Sequence, residues 1–487
     1  MNADSIKKSF IFNVILKVVS LIIPLLTAPY LSRVLMPEGI GEYSYAFSIA
    51  YYFVLIISFG FTDYGTQEIS KRRNDKSDYS SAFWSIFASR ILLMLFSSVI
   101  FVLLTLVGTF GSSPNSVVFL SFLPLLIGTG CDITFFFQGV EKFKFISLST
   151  VFFKILSVIL IFILVKTKND LALYVLIQSS VDFFVSLASW YYIRTYISLP
   201  RNGVHINKKV FRGALIYFLP TVAVSLYTMV DRTMIGILSS KTELAFYQQA
   251  YRIEEIPCNM VNAISPIMLS RIVYLIKNKE EEEIQKKIKK LFDLMALIVC
   301  PCMAGLYVIA NDFIPFFFGA DYAPATITLY ILAPQILITT ISNNIRNVYY
   351  APKNKLNILT LILFSGSILN LLLNYILIPK AGANGAAFAS VIAELLICIL
   401  IIYYSKSEID YFNLSKSYIK PIFASVIMYV ILVCVNYQLK QFITSRLIII
   451  FFDSLAGCTL YLLMCLIMKE PFIYNIYLQL IRKIRRR

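Results

Sequence analysis

Charged residues and histidine are scarce in this sequence. Charged residues make up 15% of the 487 positions, and His205 is the one histidine. Soluble domains carry roughly a quarter charged residues, so this composition excludes a soluble fold. This histidine lies in a predicted inside loop among Asn and Lys, so histidine-based zinc sites and Ser-His-Asp triads are not expected. The sequence also lacks a Walker lysine motif, which excludes ATP as the direct energy source.

Hydrophobic residues, by contrast, are abundant and occur in long runs. They form 58% of the chain, and the mean hydropathy is +0.75. Hydrocarbon offers peptide groups no hydrogen-bond partners, so such a chain must satisfy its backbone within helices. A span of the ~30 Å hydrocarbon core needs roughly 20 apolar residues. This length predicts an all-α polytopic membrane protein with about 14 transmembrane helices, at residues 9–31, 42–62, 82–108, 117–137, 146–165, 171–193, 212–237, 244–270, 291–311, 325–350, 357–378, 385–404, 419–437 and 447–467.

Basic residues outnumber acidic ones, with 44 Lys and Arg against 27 Asp and Glu. Placing the amino terminus in the cytoplasm puts most of the basic residues in inside loops, as the positive-inside rule requires. We therefore expect both termini in the cytoplasm, and a first span that is retained rather than removed as a signal peptide. The basic residues form no recognisable nucleic-acid-binding module, so no nucleic-acid partner is expected.

The first twelve predicted spans read as two halves. The segments RVLMPEGIGEYSYA and IGILSSKTELAFYQQA each lie at the outer end of the first helix of a half, and FFFQGVEKFKF and NVYYAPKNKLN each close a fourth span. Both pairs enter their halves in the same orientation, which indicates a parallel duplication of the kind that alternating-access carriers use. We therefore predict an N-terminal lobe at residues 1–200, a C-terminal lobe at 201–410, and two appended helices with a basic cytoplasmic tail at 411–487.

Four segments carry a family resemblance. They are PYLSRVLMPEGIGEYSYAFS (29–48), FGFTDYGTQEISKRR (59–73), DITFFFQGVEKFKFI (132–146) and LNLLLNYILIPKAGANGAAFASVIAELL (369–396). In these segments the sequence resembles the Wzx-like oligosaccharide flippases, which are polysaccharide biosynthesis transporters of the multidrug/oligosaccharidyl-lipid/polysaccharide exporter superfamily. One departure follows Asp132, where Ile-Thr-Phe stands and a nearby Trp is expected.

The resemblance implies a MATE-like fold of two six-helix lobes plus two C-terminal helices. It implies a flippase that moves undecaprenyl-pyrophosphate-linked oligosaccharide repeat units from the inner to the outer leaflet of the bacterial cytoplasmic membrane by alternating access. The units would serve O-antigen, capsule or exopolysaccharide synthesis, with membrane lipids and the polymerase and chain-length proteins of the pathway as further partners. Neither an enzymatic activity nor a cofactor is implied, and the coupling ion, H⁺ or Na⁺, is left open.

Basic side chains within the predicted spans are the first candidates for a substrate site, because an ionised group at bilayer depth must face a partner or a wet cavity. Lys17, Arg90 and Lys154 lie on the first, third and fifth predicted spans. Each is roughly 12–14 Å from the predicted cytoplasmic end, at 1.5 Å per residue. Guanidinium and ammonium groups match the charge and the acceptor oxygens of a pyrophosphate. We therefore predict that the three residues form a cationic ring that captures the head group.

The second half adds three more basic candidates, Arg232, Arg252 and Arg346. Their predicted depths vary more than those of the first three. They either extend the substrate site or pair with acids, since Asp231 adjoins Arg232 and Glu254 is near Arg252 in sequence.

Acidic residues within the spans have two candidate roles. Asp63, Asp132 and Asp182 lie toward the inner half of the second, fourth and sixth predicted spans. They either pair with the basic residues or form a proton or sodium relay, and ion pairing is the favoured role. Asp231 and Glu254 are candidates for the same two roles, and no metal site is predicted.

Two other functions compete with the flippase interpretation. A drug/cation antiporter of the same superfamily would line its lobe with unpaired carboxylates, whereas basic residues occupy the comparable depths here. A membrane-embedded polymerase or glycosyltransferase normally needs a sizeable segment outside the membrane, and every predicted outside loop is short. The sequence therefore favours transport of an anionic substrate over both alternatives.

Replacing Lys17, Arg90 or Lys154 with Ala is expected to abolish export of the sugar polymer, because each change removes a positive charge from the predicted ring. Surface polymer is measured in cells that carry each variant as the sole copy, after membrane insertion has been checked. Normal polymer display in all three single variants would contradict the ring.

Overall fold

The protein is described here by a computed structural model that covers residues 3–109, 116–198, 203, 206–262, 268, 272–276, 278, 280–353 and 355–485. Side chains are described between residues 22 and 479 of these ranges, except at positions 143, 223–224 and 226–227. Every element in the described residues is helical, which confirms the predicted all-α class. The chain divides into two compact units, Met1–Gly236 and Ile237–Arg487.

The α-helices of the first unit are numbered in chain order. They are α1 (Ala3–Ser58), α2 (Phe61–Arg72), α3 (Lys76–Val107), α4 (Ser116–Leu120), α5 (Leu123–Cys131), α6 (Thr134–Gly139), α7 (Phe143–Leu164), α8 (Leu171–Ile193) and α9 (Lys208–Leu238). The last of these was predicted as the first helix of the second lobe, whereas it clusters with the first unit up to Gly236. The lobe boundaries at residues 200 and 410 stay a prediction.

The α-helices of the second unit continue the numbering. They are α10 (Lys241–Asn262), α11 (Glu281–Phe317), α12 (Ala325–Ile345), α13 (Leu356–Ser405), α14 (Tyr411–Phe442), α15 (Arg446–Ile467) and α16 (Pro471–Arg485). A π-helix, Arg346–Tyr350, directly follows α12.

Ten described helical segments are long and apolar enough to cross a membrane, judged by length and composition. Two of them, Ile22–Arg72 and Leu356–Ser405, contain a sharp backbone break, so each supplies two of the predicted spans. With the more polar helices α9 and α10, these segments correspond one to one with the predicted set. Hydropathy therefore located the spans correctly along the described chain.

The breaks in α1 and α13 replace two predicted loops with single-residue turns. In α1 the break is Met36 (φ 60°), and Pro37 restarts the helix because its missing N–H is not needed in a first turn. In α13 the break is Gly382 (φ 51°). The side chain of Glu243 accepts a hydrogen bond from the N–H of Ala383 (2.8 Å), which satisfies a donor at the start of the new helix.

The fourth predicted span is not one helix, which corrects the prediction of an unbroken span at 117–137. It consists of α4, α5 and α6. Pro124 lies in the first turn of α5, where proline is tolerated but a preceding helix cannot continue through it. Asp132 lies at the second break, and its carboxylate accepts hydrogen bonds from the N–H and the hydroxyl of Thr134, both at 2.9 Å. This Asx-type turn competes with the helix and favours a new start at α6.

Aromatic packing fills the core of the first unit around this broken span. Phe135, Phe136 and Phe137 of α6 are each 0% exposed, and they pack in one cluster with Phe61 and Phe83. These rings belong to the segment that carries the family resemblance, so these three phenylalanines are core residues rather than lipid-facing ones.

Glu408 joins three segments of the second unit. Its carboxylate accepts a hydrogen bond from the hydroxyl of Tyr349 (2.7 Å) and pairs with Lys355 (2.8 Å) and with Lys353. Its backbone carbonyl accepts a hydrogen bond from the amide of Gln285 (2.6 Å). The end of the π-helix, the first turn of α11 and the connection from α13 to α14 are thereby held together.

Gly382→Ala is expected to lower the thermal stability, because φ is positive at this position and the added Cβ would clash with the carboxylate of Glu243. Strain of this kind costs about 1–3 kcal/mol. The measurement is the melting temperature of the purified full-length protein in detergent. Gly305→Ala in α11 is the matched control, since an added Cβ there meets no atom within 4 Å. Equal melting temperatures for the two variants would contradict the role assigned to Gly382.

Candidate functional site

Arg90 and Asp132 form a buried ion pair at the second break of the fourth span. Arg90 lies on α3 and is 1% exposed. One guanidinium nitrogen donates to the carbonyl of Asp132 (2.9 Å), and another is 3.2 Å from Oδ2 of its carboxylate. At the break Phe136 donates to the carbonyl of Ile133, so the carbonyl of Asp132 has lost its helical partner. Arg90 therefore closes the broken backbone and neutralises the acid at the same place.

Helix α8 supplies two further donors to the broken span. The indole N–H of Trp190 donates to the carbonyl of Cys131 (2.9 Å), and the hydroxyl of Ser186 donates to the carbonyl of Gly128 (2.9 Å). A Cβ added at Gly128 would lie 2.6 Å from the backbone nitrogen of Phe183, so only glycine permits this close approach of α5 and α8. The contact positions Asp182, which precedes Phe183 on α8, toward the broken span.

Lys154 and Asp182 extend the ion pair into a group of four charges. Lys154 of α7 is half-buried and Asp182 of α8 is exposed. The two side chains interact electrostatically, and Asp182 also faces the carboxylate of Asp132. Two bases and two acids, from three helices of the first unit and the break at Asp132, therefore interact. The roles of Asp132 and Asp182, as ion-pair partners or as a relay, stay predictions.

The predicted ring stays a prediction. Helix α3 begins at Lys76 and α7 at Phe143, several residues before the apolar runs from which the depths were counted. At 1.5 Å per residue, Arg90 and Lys154 lie roughly 21 Å and 16 Å from these helix starts. Lys17, the third predicted member, lies outside the residues whose side chains the structure describes.

The second unit has a buried charged group of its own. Arg346 lies in the π-helix that follows α12, and its guanidinium is 3.6 Å from Oε1 of Glu394 on α13. Glu254 of α10 is 2% exposed and interacts electrostatically with Glu394. Its Oε1 is 3.6 Å from the thiol of Cys258. Sequence reasoning assigned no role to Glu394, although its place inside the apolar run GAAFASVIAE is a signal that could have found it.

The remaining candidates differ in their burial. Asp231 of α9 is 4% exposed and lies near the hydroxyl of Tyr52, which is 3.0 Å from that of Thr233. Arg232 and Arg252 are half-buried, and each has an interaction partner. Asp63 is exposed in the first turn of α2.

Comparison with known proteins places the chain in a family. The model of the family described as polysaccharide biosynthesis protein matches residues 6–268, which is more than half of the chain. The chain belongs to this family. A second family model, MatE, matches residues 218–376.

Relatives of this polysaccharide biosynthesis family member are named for O-antigen transport and capsular polysaccharide biosynthesis. The chain is 26% identical over 410 residues to the "Putative O-antigen transporter" of Escherichia coli (strain K12), an alignment that covers 84% of this chain and 98% of that protein. It is 23% identical over 414 residues to the capsular polysaccharide biosynthesis protein CapF of Staphylococcus aureus, covering 82% and 99% of the two chains.

The fold also has a solved counterpart. The structure of the lipid II flippase MurJ in an inward closed conformation superposes with a TM-score of 0.76 and 17% identity, over 96% of this chain and 99% of that one. At this identity the likeness establishes the fold, and it confirms the predicted MATE-like fold class.

Breaking the Arg90–Asp132 pair is expected to destabilise the protein by about 3–5 kcal/mol in either single variant, Arg90→Ala or Asp132→Ala, because a buried charge is left unpaired. Arg90→Lys is expected to destabilise the protein as well, since one ammonium group cannot reproduce the bonds of the guanidinium to both the carbonyl and the carboxylate. The double variant Arg90→Ala/Asp132→Ala is expected to lose less than the sum of the singles. The melting temperatures of the wild type, the two single variants and the double variant are measured in detergent. Additive losses of stability would show that the two residues do not act as a pair.

Proposed function

We propose that this protein is a flippase that translocates undecaprenyl-pyrophosphate-linked oligosaccharide repeat units from the inner to the outer leaflet of the bacterial cytoplasmic membrane. The units would serve O-antigen, capsule or exopolysaccharide synthesis. Membership of the polysaccharide biosynthesis family, the names of its relatives and the fold shared with a lipid II flippase support this proposal.

The observation that carries the proposal is the exposed half of the charge group in the first unit. Arg90 and Asp132 are sealed against each other, whereas Lys154 is half-buried and Asp182 is exposed. Charges at span depth are tolerated where they face a water-accessible cavity, because hydrocarbon would cost several kcal/mol per charge. Lys154 and Asp182 are therefore the part of the group that a polar substrate can reach.

A pyrophosphate head group can exchange with the internal acid at this point. Lys154 offers a compact ammonium that pairs with phosphate oxygens as a point charge. In the substrate-free protein Asp182 partly neutralises it. The head group would replace Asp182 as the partner of Lys154, with Arg90 as the buried positive charge behind it. Lys17, Arg232, Arg252 and Arg346 stay proposed contacts of the head group.

The acids provide candidates for coupling transport to an ion. Glu254 is buried beside Glu394, and Arg346 pairs with Glu394. Glu255 also interacts with Glu254, so the carboxylates near Arg346 leave room for a further positive charge, a proton or a sodium ion. We propose this group as the coupling site, with Asp63, Asp132, Asp182 and Asp231 as further relay candidates.

The proposal also covers the movement of the lobes, the location of the termini and the partners. The two six-helix lobes, 1–200 and 201–410, would alternate access to the two leaflets, and both termini would lie in the cytoplasm. No enzymatic activity is proposed. Membrane lipids and the polymerase and chain-length proteins of the pathway are proposed partners.

A drug/cation antiporter is the second candidate function. The MatE match over residues 218–376 and the buried carboxylates of Glu254 and Glu394 favour it, because carboxylates bind cationic drugs. The first unit opposes it, since Asp132 and Asp182 are matched by Arg90 and Lys154. Efflux of a fluorescent lipophilic cation from cells, unaffected by deletion of the sugar pathway, would support the antiporter.

Lys154→Ala is expected to reduce flipping at least tenfold, whereas Lys154→Arg keeps most of it, because a positive charge must meet the head group. The assay uses proteoliposomes that contain undecaprenyl-pyrophosphate-linked oligosaccharide and a membrane-impermeant glycosidase, which cleaves only the units that reach the outer leaflet. Lys166→Ala is the matched control, a lysine just past the end of α7 whose side chain bonds the carbonyl of Phe162. Equal rates for Lys154→Ala and Lys166→Ala would remove Lys154 from the site.

A further inference from the structure

The appended helices α14 and α15 carry a polar group near the turn that joins them. Asp453 of α15 is 1% exposed and Asn436 of α14 is 9% exposed. The side-chain amide of Asn436 donates a hydrogen bond to Oδ2 of Asp453. Helix α15 begins at Arg446, so Asp453 lies roughly 10 Å along the span at 1.5 Å per residue. An ionisable side chain at that depth requires an explanation.

The nearest base is already engaged by another acid. Lys440 of α14 lies 2.8 Å from Oδ2 of Asp312, which is 7% exposed on α11. This pair is neutral as a whole. Asp453 therefore lacks a counter-ion of its own among the described residues.

One oxygen of Asp453 has no partner at all. Oδ1 is buried and no hydrogen-bond donor of the described chain reaches it. The residue lies in the wall of a cavity of about 500 Å³ whose lining is almost entirely apolar. An ionised carboxylate in such a place would cost several kcal/mol, whereas a protonated carboxyl costs far less.

The groups around Asp453 favour the binding of a proton over that of a metal ion. Asp312 of α11 and Lys440 of α14 are the charged groups that face it, and α10 contributes apolar side chains to the cavity. The other titratable groups in the cavity wall are Cys302, Cys458 and Tyr461. Within the described residues, His, Cys, Asp and Glu form no group of three that could hold a metal ion.

We propose that Asp453 is a proton-binding site. It carries a proton while α14 and α15 pack on α11, and loss of that proton to water leaves an unpaired carboxylate in the cavity wall. The uncompensated charge weakens the packing of the helix pair, which makes the pair sensitive to pH. The proposal does not depend on which substrate the protein carries.

Infrared spectroscopy of the full-length protein in lipid vesicles tests the protonation directly. At pH 7 the wild-type spectrum minus that of Asp453→Asn is expected to contain the C=O stretch of a protonated carboxyl, shifted in D₂O. Asp321→Asn is the matched control, an exposed acid whose removal is expected to leave that band in place. A spectrum of Asp453→Asn identical to the wild type in this region would overturn the proposal.

A second variant keeps the test independent of the folding of Asp453→Asn. Asp312→Asn frees Lys440 to pair with Asp453, so the carboxyl band should disappear at a pH about one unit or more lower than in the wild type. An unchanged titration would show that Lys440 and Asp312 do not control the site.

The effect on packing has its own readout. Cys465 of α15 is 0% exposed within the cluster that α11, α14 and α15 form. With the other cysteines replaced by serine, maleimide labelling of Cys465 should rise several-fold as the carboxyl band is lost with increasing pH, and stay low throughout in the Asp453→Asn background. Constant labelling of the Asp453 protein across the titration would overturn the link between the proton and the packing.

Discussion

Hydrocarbon supplies no hydrogen-bond partner for a peptide group, and this constraint determines how the helices of this protein can be interrupted. Where the fourth span breaks at Asp132, the carbonyls near the break receive donors from Arg90, Trp190 and Ser186 of neighbouring helices. Where α13 breaks at Gly382, a carboxylate from α10 takes the exposed N–H. At both breaks another helix of the same unit therefore supplies the missing hydrogen-bond partner.

The same apolar surroundings make an isolated charge costly, and the described charges within the spans are mostly paired inside one unit. Arg90 pairs with Asp132, Arg346 with Glu394, and Lys440 with Asp312. On the proposed function, a phosphorylated head group would enter by replacing an internal acid rather than by filling a vacant positive ring. Binding would then be an exchange of partners, which costs less than uncovering a bare cation.

The sequence was sufficient for the class, the order of the spans and their approximate positions, because runs of about 20 apolar residues have few other uses. It could not reveal the break at Asp132, since this residue lies in a run whose composition permits a continuous or a broken helix. Nor could it pair Arg90 with Asp132 or Arg346 with Glu394, because partners on different helices depend on how the helices are rotated. The first residues of α3 and α7 were also not predicted, since both helices extend beyond the apolar run.

The contacts of Glu408 have a mechanical consequence. The carboxylate of Glu408 contacts Tyr349 and two lysines, and its backbone carbonyl accepts from Gln285, so the ends of three helical segments are cross-linked. The connection from α13 to α14 is one of these segments, so the appended helix pair is attached to the other two at that point. A displacement of α12 or α13 would therefore be transmitted through this connection to α14.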